Sequence, residues 1–116
     1  MRDLDRLSAD PTFVERLVRG FRSDSERLIK AMSDSLAARR YEDVKEIAHA
    51  LKGGAGSVGA TQLMQLAIRF EKASYDLLRY KAAAWMEELA HAAHAALAAL
   101  DQHVKERQRQ SGREPS

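Results

Sequence analysis

The sequence predicts an all-α protein: an antiparallel four-helix bundle with a short N-terminal lead-in and a frayed C-terminal tail. Three observations point to it. The only prolines, Pro11 and Pro115, stand near the ends, so nothing between them forbids long helices. Ala is abundant, and Leu, Glu, Arg and Lys supply most of the rest; these residues lose least side-chain freedom in a helix. Val, Ile and Thr are few, and no stretch alternates cleanly between apolar and polar, so strands are not expected. At 116 residues the chain is one domain, long enough for a single core of about four helices.

Residues 1–7 are polar and mixed, a lead-in. Asp10 is placed to cap the first helix, and Pro11 fits its first position, where the missing N–H costs nothing. Phe13, Val14, Leu17, Val18, Phe21, Leu28, Met32 and Leu36 then recur at three- and four-residue steps, giving a helix to about Ala38 with a bend at Gly20 to Ser25. Arg39, Arg40 and Tyr41 make the first turn. The second helix begins near Tyr41 or Glu42 and carries Val44, Ile47, Ala48, Leu51, Ala55 and Val58; Gly59 is its stop. The third runs from about Ala60 to Tyr75 with Leu63, Leu66, Ala67 and Phe70 on one face. Asp76 to Tyr80 is the expected connection. The fourth carries Trp85, Leu89, Ala92, Ala96, Leu100 and Val104 and ends near Arg107. The bundle therefore spans residues 8–107, and residues 108–116 are a polar tail. Short connections make neighbouring helices antiparallel.

Composition excludes several functions. Apolar residues make up 45% and charged ones 31%, an ordinary soluble balance. Nineteen basic and seventeen acidic residues leave a net charge of +2, and the two signs are interleaved. That gives no broad basic surface for nucleic acid. Without Cys there are no disulfides and no thiolate metal sites. No apolar run reaches the roughly 20 residues of a membrane span, and no signal-peptide pattern opens the chain.

Four of the six glycines fall between Gly53 and Gly59. Gly54-Ala55-Gly56-Ser57-Val58-Gly59 fits G-x-G-x-x-G literally, but a dinucleotide fingerprint follows a strand, and the preceding residues have helical period. The phosphate-loop pattern fails as well, because its Lys follows the glycines and Lys52 precedes them. Each glycine inside a helix costs roughly 1 kcal/mol against Ala, so the cluster needs a reason. On a helical wheel Val44, Ala48, Leu51 and Ala55 define the buried direction. His49 lies about 140° away from it at 100° per residue, facing solvent. Gly53 and Gly56 share its outer face, and Lys45 and Lys52 flank it. An exposed imidazole stands beside bare backbone that another surface can approach closely. Gly54, nearer the inner side, is read as easing helix packing.

The run Ala48-His49-Ala50-Leu51-Lys52-Gly53-Gly54-Ala55-Gly56-Ser57-Val58-Gly59 closely resembles the signature of histidine-containing phosphotransfer (HPt) domains. The resemblance continues through Leu63, Leu66 and Glu71, and less specifically over residues 8–105. The nearest type is the C-terminal HPt domain of bacterial hybrid sensor kinases. It implies a four-helix bundle in which His49 accepts a phosphoryl group on Nε2 from a receiver-domain aspartate and passes it to another receiver aspartate. The attacking imidazole must be neutral, as an ordinary imidazole largely is at pH 7. By the same resemblance Lys52 offsets charge on the phosphoryl oxygens, Glu71 orients the ring, and Gly53 lets the receiver dock. Glu71 sits at the edge of its helix's apolar face, where a salt bridge to Arg69 or Lys72 is the competing reading. Gly56, Lys45, Ser57 and Gln62 are further docking candidates.

Such domains are phosphocarriers, not enzymes: they bind no nucleotide, and the partner receiver supplies Mg²⁺ and most of the catalytic machinery. The expectations are therefore no cofactor or metal of the chain's own, response-regulator receiver partners, no nucleic acid, no membrane insertion, and a monomer. The location is cytoplasmic, including the cytoplasmic part of a membrane-bound sensor kinase. A helical docking module without phosphotransfer is the alternative from another class. His91 and His94, with Glu87 one turn before His91, lie on the outer side of the fourth helix without a further ligand, and read as a solvated face.

Overall fold

A computed structural model describes residues 11–111. The expected lead-in at residues 1–7, the Asp10 cap and residues 112–116 of the expected tail lie outside the described residues. Four helices follow in order: α1 (Pro11–Ala37), α2 (Tyr41–Ser57), α3 (Thr61–Lys72) and α4 (Tyr75–Ser111). No strand occurs among the described residues. α1 packs against α2 and α4, and α3 packs against the same two, which closes a four-membered ring. The protein is an all-α four-helix bundle, as the composition predicts.

α1 continues without interruption through Gly20–Ser25, where the sequence suggests a bend. Ser25 is buried there, and its hydroxyl donates back to the Arg22 carbonyl. At the end of α1 the Arg40 amide bonds to the Ser35 carbonyl at 2.8 Å and the Arg39 amide to that of Leu36 at 3.0 Å. This Schellman closure puts Arg39 in the left-handed region at φ 60°. A side chain there is strained, and glycine relieves it. Arg39→Gly is expected to stabilise the fold by about 0.5–1 kcal/mol, read as a raised midpoint in urea unfolding; a lowered midpoint contradicts the strain argument. α2 ends by the same device, with Ala60 bonded to Ala55 and Gly59 to Gly56. Here Gly59 occupies the left-handed position at φ 76°, the stop its sequence position predicts.

The α3–α4 connection differs from expectation. It is Ala73 and Ser74, not Asp76 to Tyr80. Ala73 is extended, at φ −72° and ψ 148°, and the Ser74 hydroxyl accepts the Leu77 amide at 3.1 Å, capping α4. Asp76 then lies in the first turn, where a negative charge suits the helix dipole. α4 also runs past Arg107 to Ser111, so Gln108 to Ser111 of the expected tail are helical.

α1 and α4 have 27 and 37 residues, while α2 and α3 have 17 and 12. The long pair extends beyond the short pair, and the molecule measures 57 × 24 × 18 Å. Arg22 on α1 pairs with Asp101 on α4 at 2.5 Å, and Glu15 accepts from Gln108, which fixes the antiparallel register of this extension. The core proper lies where all four helices meet: Met32 of α1, Leu51 of α2, Leu63 and Phe70 of α3, and Leu78 and Leu89 of α4 are almost wholly buried. Each such side chain contributes about 1.5–3 kcal/mol of burial. Phe70 meets the half-buried Trp85 edge to face at 5.5 Å.

Candidate functional site

The buried stripe of α2 is Val44, Ala48, Leu51 and Ala55, the four residues that defined its inward direction. Anchoring those residues turns His49 outward, and its side chain is 66% exposed. The facing helix is held just as firmly by Leu63, Leu66, Ala67 and Phe70, so Glu71 projects beside α2. His49 Nδ1 and Glu71 Oε2 lie 2.7 Å apart. A carboxylate accepts, so this hydrogen bond requires the proton on Nδ1 and leaves the Nε2 lone pair free. The other carboxylate oxygen, Oε1, takes the Lys52 ammonium at 2.9 Å.

One carboxylate thus ties together two successive turns of α2. The Lys52 ammonium first and the His49 ring second hold the Glu71 carboxyl below its ordinary value, against a smaller opposing effect of desolvation. It stays ionised throughout the neutral range. The competing intrahelical pairing does not form: Arg69 instead pairs with Glu88 at 3.3 Å and lies over the Trp85 ring at 5.1 Å.

The docking candidates separate once placed. A Cβ on Gly53 would have nothing within 4 Å, so this position is bare helix surface one turn beyond His49. A Cβ on Gly56 would meet Met64 Sδ at 3.4 Å, an ordinary contact. Gly54 also faces open space, which removes the packing role read for it: no neighbouring helix comes near enough to need the missing side chain. Ser57 is exposed, and its hydroxyl donates to the Gly54 carbonyl at 2.8 Å. Lys45 is half-buried with its ammonium on the Ala73 carbonyl at 2.5 Å, so its charge is already engaged in fastening α2 to the end of α3.

Gln62 lines a groove with Ala92 and Ala95 of α4, on the far side of α3 from Glu71. Nine residues at about 100° each separate the two by half a turn. Met64, seven residues before Glu71, shares its side of α3 and is half-buried beside Gly56. The sequence reading missed it, although the same wheel places it. It also missed the Tyr41–Tyr75 pair, with ring centroids 5.8 Å apart, and the hydrogen bond from the Tyr75 hydroxyl to Glu42, which raises the Tyr75 pKa.

The grooves between α1 and α4 and between α3 and α4 include neither His49 nor Glu71; His94 lines the first, and His91 with Gln62 the second. Among the described residues, no three His, Asp or Glu side chains are grouped to hold a metal ion, and no helix is long and apolar enough to cross a membrane. The imidazole therefore stands on an open surface that suits a macromolecular partner better than an enclosed small molecule.

The profile of the Hpt domain matches residues 16–110, most of the chain and all of this site. The chain belongs to the Hpt domain family. Comparison with curated proteins and with solved structures gives no match. Hpt domains carry out histidine phosphotransfer in the phosphorelays of two-component signalling, as phosphocarriers and not as enzymes, and they interact with response-regulator receiver domains.

Proposed function

We propose that this Hpt domain is a phosphorelay intermediate that takes a phosphoryl group from a receiver-domain aspartate onto His49 Nε2 and hands it to a second receiver aspartate. The observation that carries the reading is the hydrogen bond from Nδ1 to Glu71, which fixes the tautomer with a free Nε2 on an exposed ring. That lone pair attacks phosphorus. The N–P bond forms, the bond from phosphorus to the aspartyl oxygen breaks, and the carboxylate leaves with the electron pair.

Lys52 is the phosphoryl-stabilising charge, since its ammonium shares the Glu71 carboxylate with the ring that takes the group. The receiver docks over Gly53 and Gly56, with Met64 at the edge of the contact and Ser57 beside it. Lys45 acts indirectly, by fastening α2 to Ala73 and so setting Glu71 opposite His49. Mg²⁺ and most of the catalytic groups come with the receiver. The chain has no autokinase activity of its own. It acts in the cytoplasm as a monomeric module, and a hybrid sensor kinase is the natural parent for a domain of this kind.

The test is a two-step transfer. A phosphorylated receiver with Mg²⁺ is expected to label the protein with an acid-labile, alkali-stable phosphate, and addition of a second, unphosphorylated receiver is expected to remove it. An acid-stable label, or none, overturns the reading and favours a docking module without phosphotransfer.

A further inference from the structure

We propose that Glu71, beyond orienting the ring, retains the proton on Nδ1 after His49 is phosphorylated, and thereby keeps the phosphohistidine short-lived and ready to discharge. The inference rests on His49 as the phosphoacceptor.

Bond accounting gives the reason. As the N–P bond forms, Nε2 spends its lone pair while Nδ1 keeps its hydrogen, so the phosphorylated ring carries a positive charge. On discharge a receiver carboxylate, or water, attacks phosphorus. The N–P bond breaks and its electron pair returns to Nε2. The departing group is a neutral imidazole only if Nδ1 has kept its proton; otherwise an imidazolide anion must leave, and it is a far poorer leaving group. Occupancy of the Nδ1 proton therefore sets how readily the phosphoryl group moves on.

The structure puts a full negative charge at that proton. Glu71 Oε2 lies 2.7 Å from Nδ1, a charge-assisted hydrogen bond on the surface of the bundle. An amide oxygen in the same place would accept the hydrogen bond without opposing the ring's charge. Lys52 makes the effect depend on the state of the ring. Before transfer its ammonium shares the carboxylate through Oε1 at 2.9 Å. Once a phosphoryl dianion is attached, the ammonium has a stronger partner, and the carboxylate is left to the ring.

Of the charges nearest the ring, Glu46, one turn before His49, and Lys72, next to Glu71, are exposed, and the others are already committed. Lys45 is held at the Ala73 carbonyl, and Glu42 accepts from the Tyr75 hydroxyl at the start of α4. On α1, Arg22, Arg27 and Lys30 pair with Asp101, Asp24 and Asp34. Arg40, just before α2, pairs with Asp43.

The experiment uses the full chain charged with potassium phosphoramidate, a small donor that needs no receiver. After the donor is removed, loss of phosphohistidine is followed by ³¹P NMR between about pH 6 and pH 9 for wild type, Glu71→Gln and Glu71→Asp. Decay is scored on the phosphorylated fraction alone, so slower charging of a variant does not enter. The expected result is a half-life about 10-fold longer for Glu71→Gln near pH 8, narrowing toward pH 6, where solvent protonates the ring in either protein. Glu71→Asp, which keeps the charge, falls between the two. A merely structural role would leave the pH profile in place. Superimposed decay curves for folded wild type and Glu71→Gln overturn the proposal. Failure of wild type to form an acid-labile phosphate with either phosphoramidate or a receiver would instead overturn the assignment of His49.

Discussion

His49→Gln is expected to abolish phosphoryl labelling, by at least about 10³-fold, while leaving the fold in place. The size follows from the chemistry. Loss of an attacking nucleophile removes the step itself and not one contribution to it. The amide of Gln offers no comparable lone pair, because its nitrogen electrons are delocalised into the carbonyl. The fold should tolerate the change for equally specific reasons. The side chain is 66% exposed and fills no part of the core, and Gln is a good helix former. What is lost is an exposed hydrogen bond to Glu71, a contact of a class worth about 1 kcal/mol or less. Circular dichroism and a melting curve near that of wild type, measured on the same sample that fails to label, separate loss of chemistry from loss of structure. The remaining histidines make the experiment discriminating. His91, His94 and His103 stand exposed on α4, and none hydrogen-bonds a carboxylate among the described residues. If they accept phosphate as well as His49 does, the variant stays labelled, and the argument from the Glu71–His49 geometry is wrong.

The parts of this site that follow from one helix were legible in the sequence, and the parts that need two were legible only where a wheel could be drawn. Val44, Ala48, Leu51 and Ala55 determine the rotation of α2, so His49, Lys52 and Gly53 had to lie outside. The inward face of α3 likewise placed Glu71 at an edge. Which of the cations nearby it would choose was not decidable from local spacing, because Arg69 and Lys72 are closer in sequence than Lys52. The choice went to Lys52 and His49 because Arg69 lies on the α4 side of α3, where Glu88 and the Trp85 ring meet it. Gln62 and Met64 are a different case. Their spacings from Glu71 already separate them, and the wheel carried to the start of α3 would have exchanged one for the other. The Lys45–Ala73 contact spans 28 residues and ends on a backbone carbonyl, so no local pattern announces it. The misplaced connection has a plain cause. Ala73 and Ser74 interrupt the helix without Gly or Pro, and the signal lay in a single capping hydroxyl. Asp76 to Tyr80, read as the connection, is already α4, and Leu78 within it and Ala82 one turn on are buried.

Gly53 separates stability from function in opposite directions. A glycine in mid-helix costs roughly 0.5–1 kcal/mol relative to Ala, and a Cβ at this position meets nothing within 4 Å. Gly53→Ala is therefore expected to raise the unfolding midpoint, with little cost in packing. If stability alone mattered here, alanine would serve better, so the bare backbone has to be explained by what approaches it. Phosphoryl transfer between two macromolecules brings the reacting atoms to about 3–3.5 Å, and a displacement near 1 Å can cost about 100-fold in rate. His49 precedes Gly53 by one turn on the same outer side of α2, so a surface that reaches the ring from the C-terminal end of α2 passes over this position. Gly53→Phe should accordingly slow transfer from a phosphorylated receiver by about 100-fold, while the helix remains folded. Phosphoramidate supplies the control, because it is too small to touch residue 53 while reacting at the ring. Its rate of labelling should stay near that of wild type in both variants. A Phe variant that loses reactivity toward phosphoramidate as well has a disturbed His49, and one that accepts phosphate from the receiver at the wild-type rate shows that the partner does not cross Gly53. Only the split result, receiver transfer slowed and small-donor labelling unchanged, supports a docking surface whose closest approach lies over this glycine.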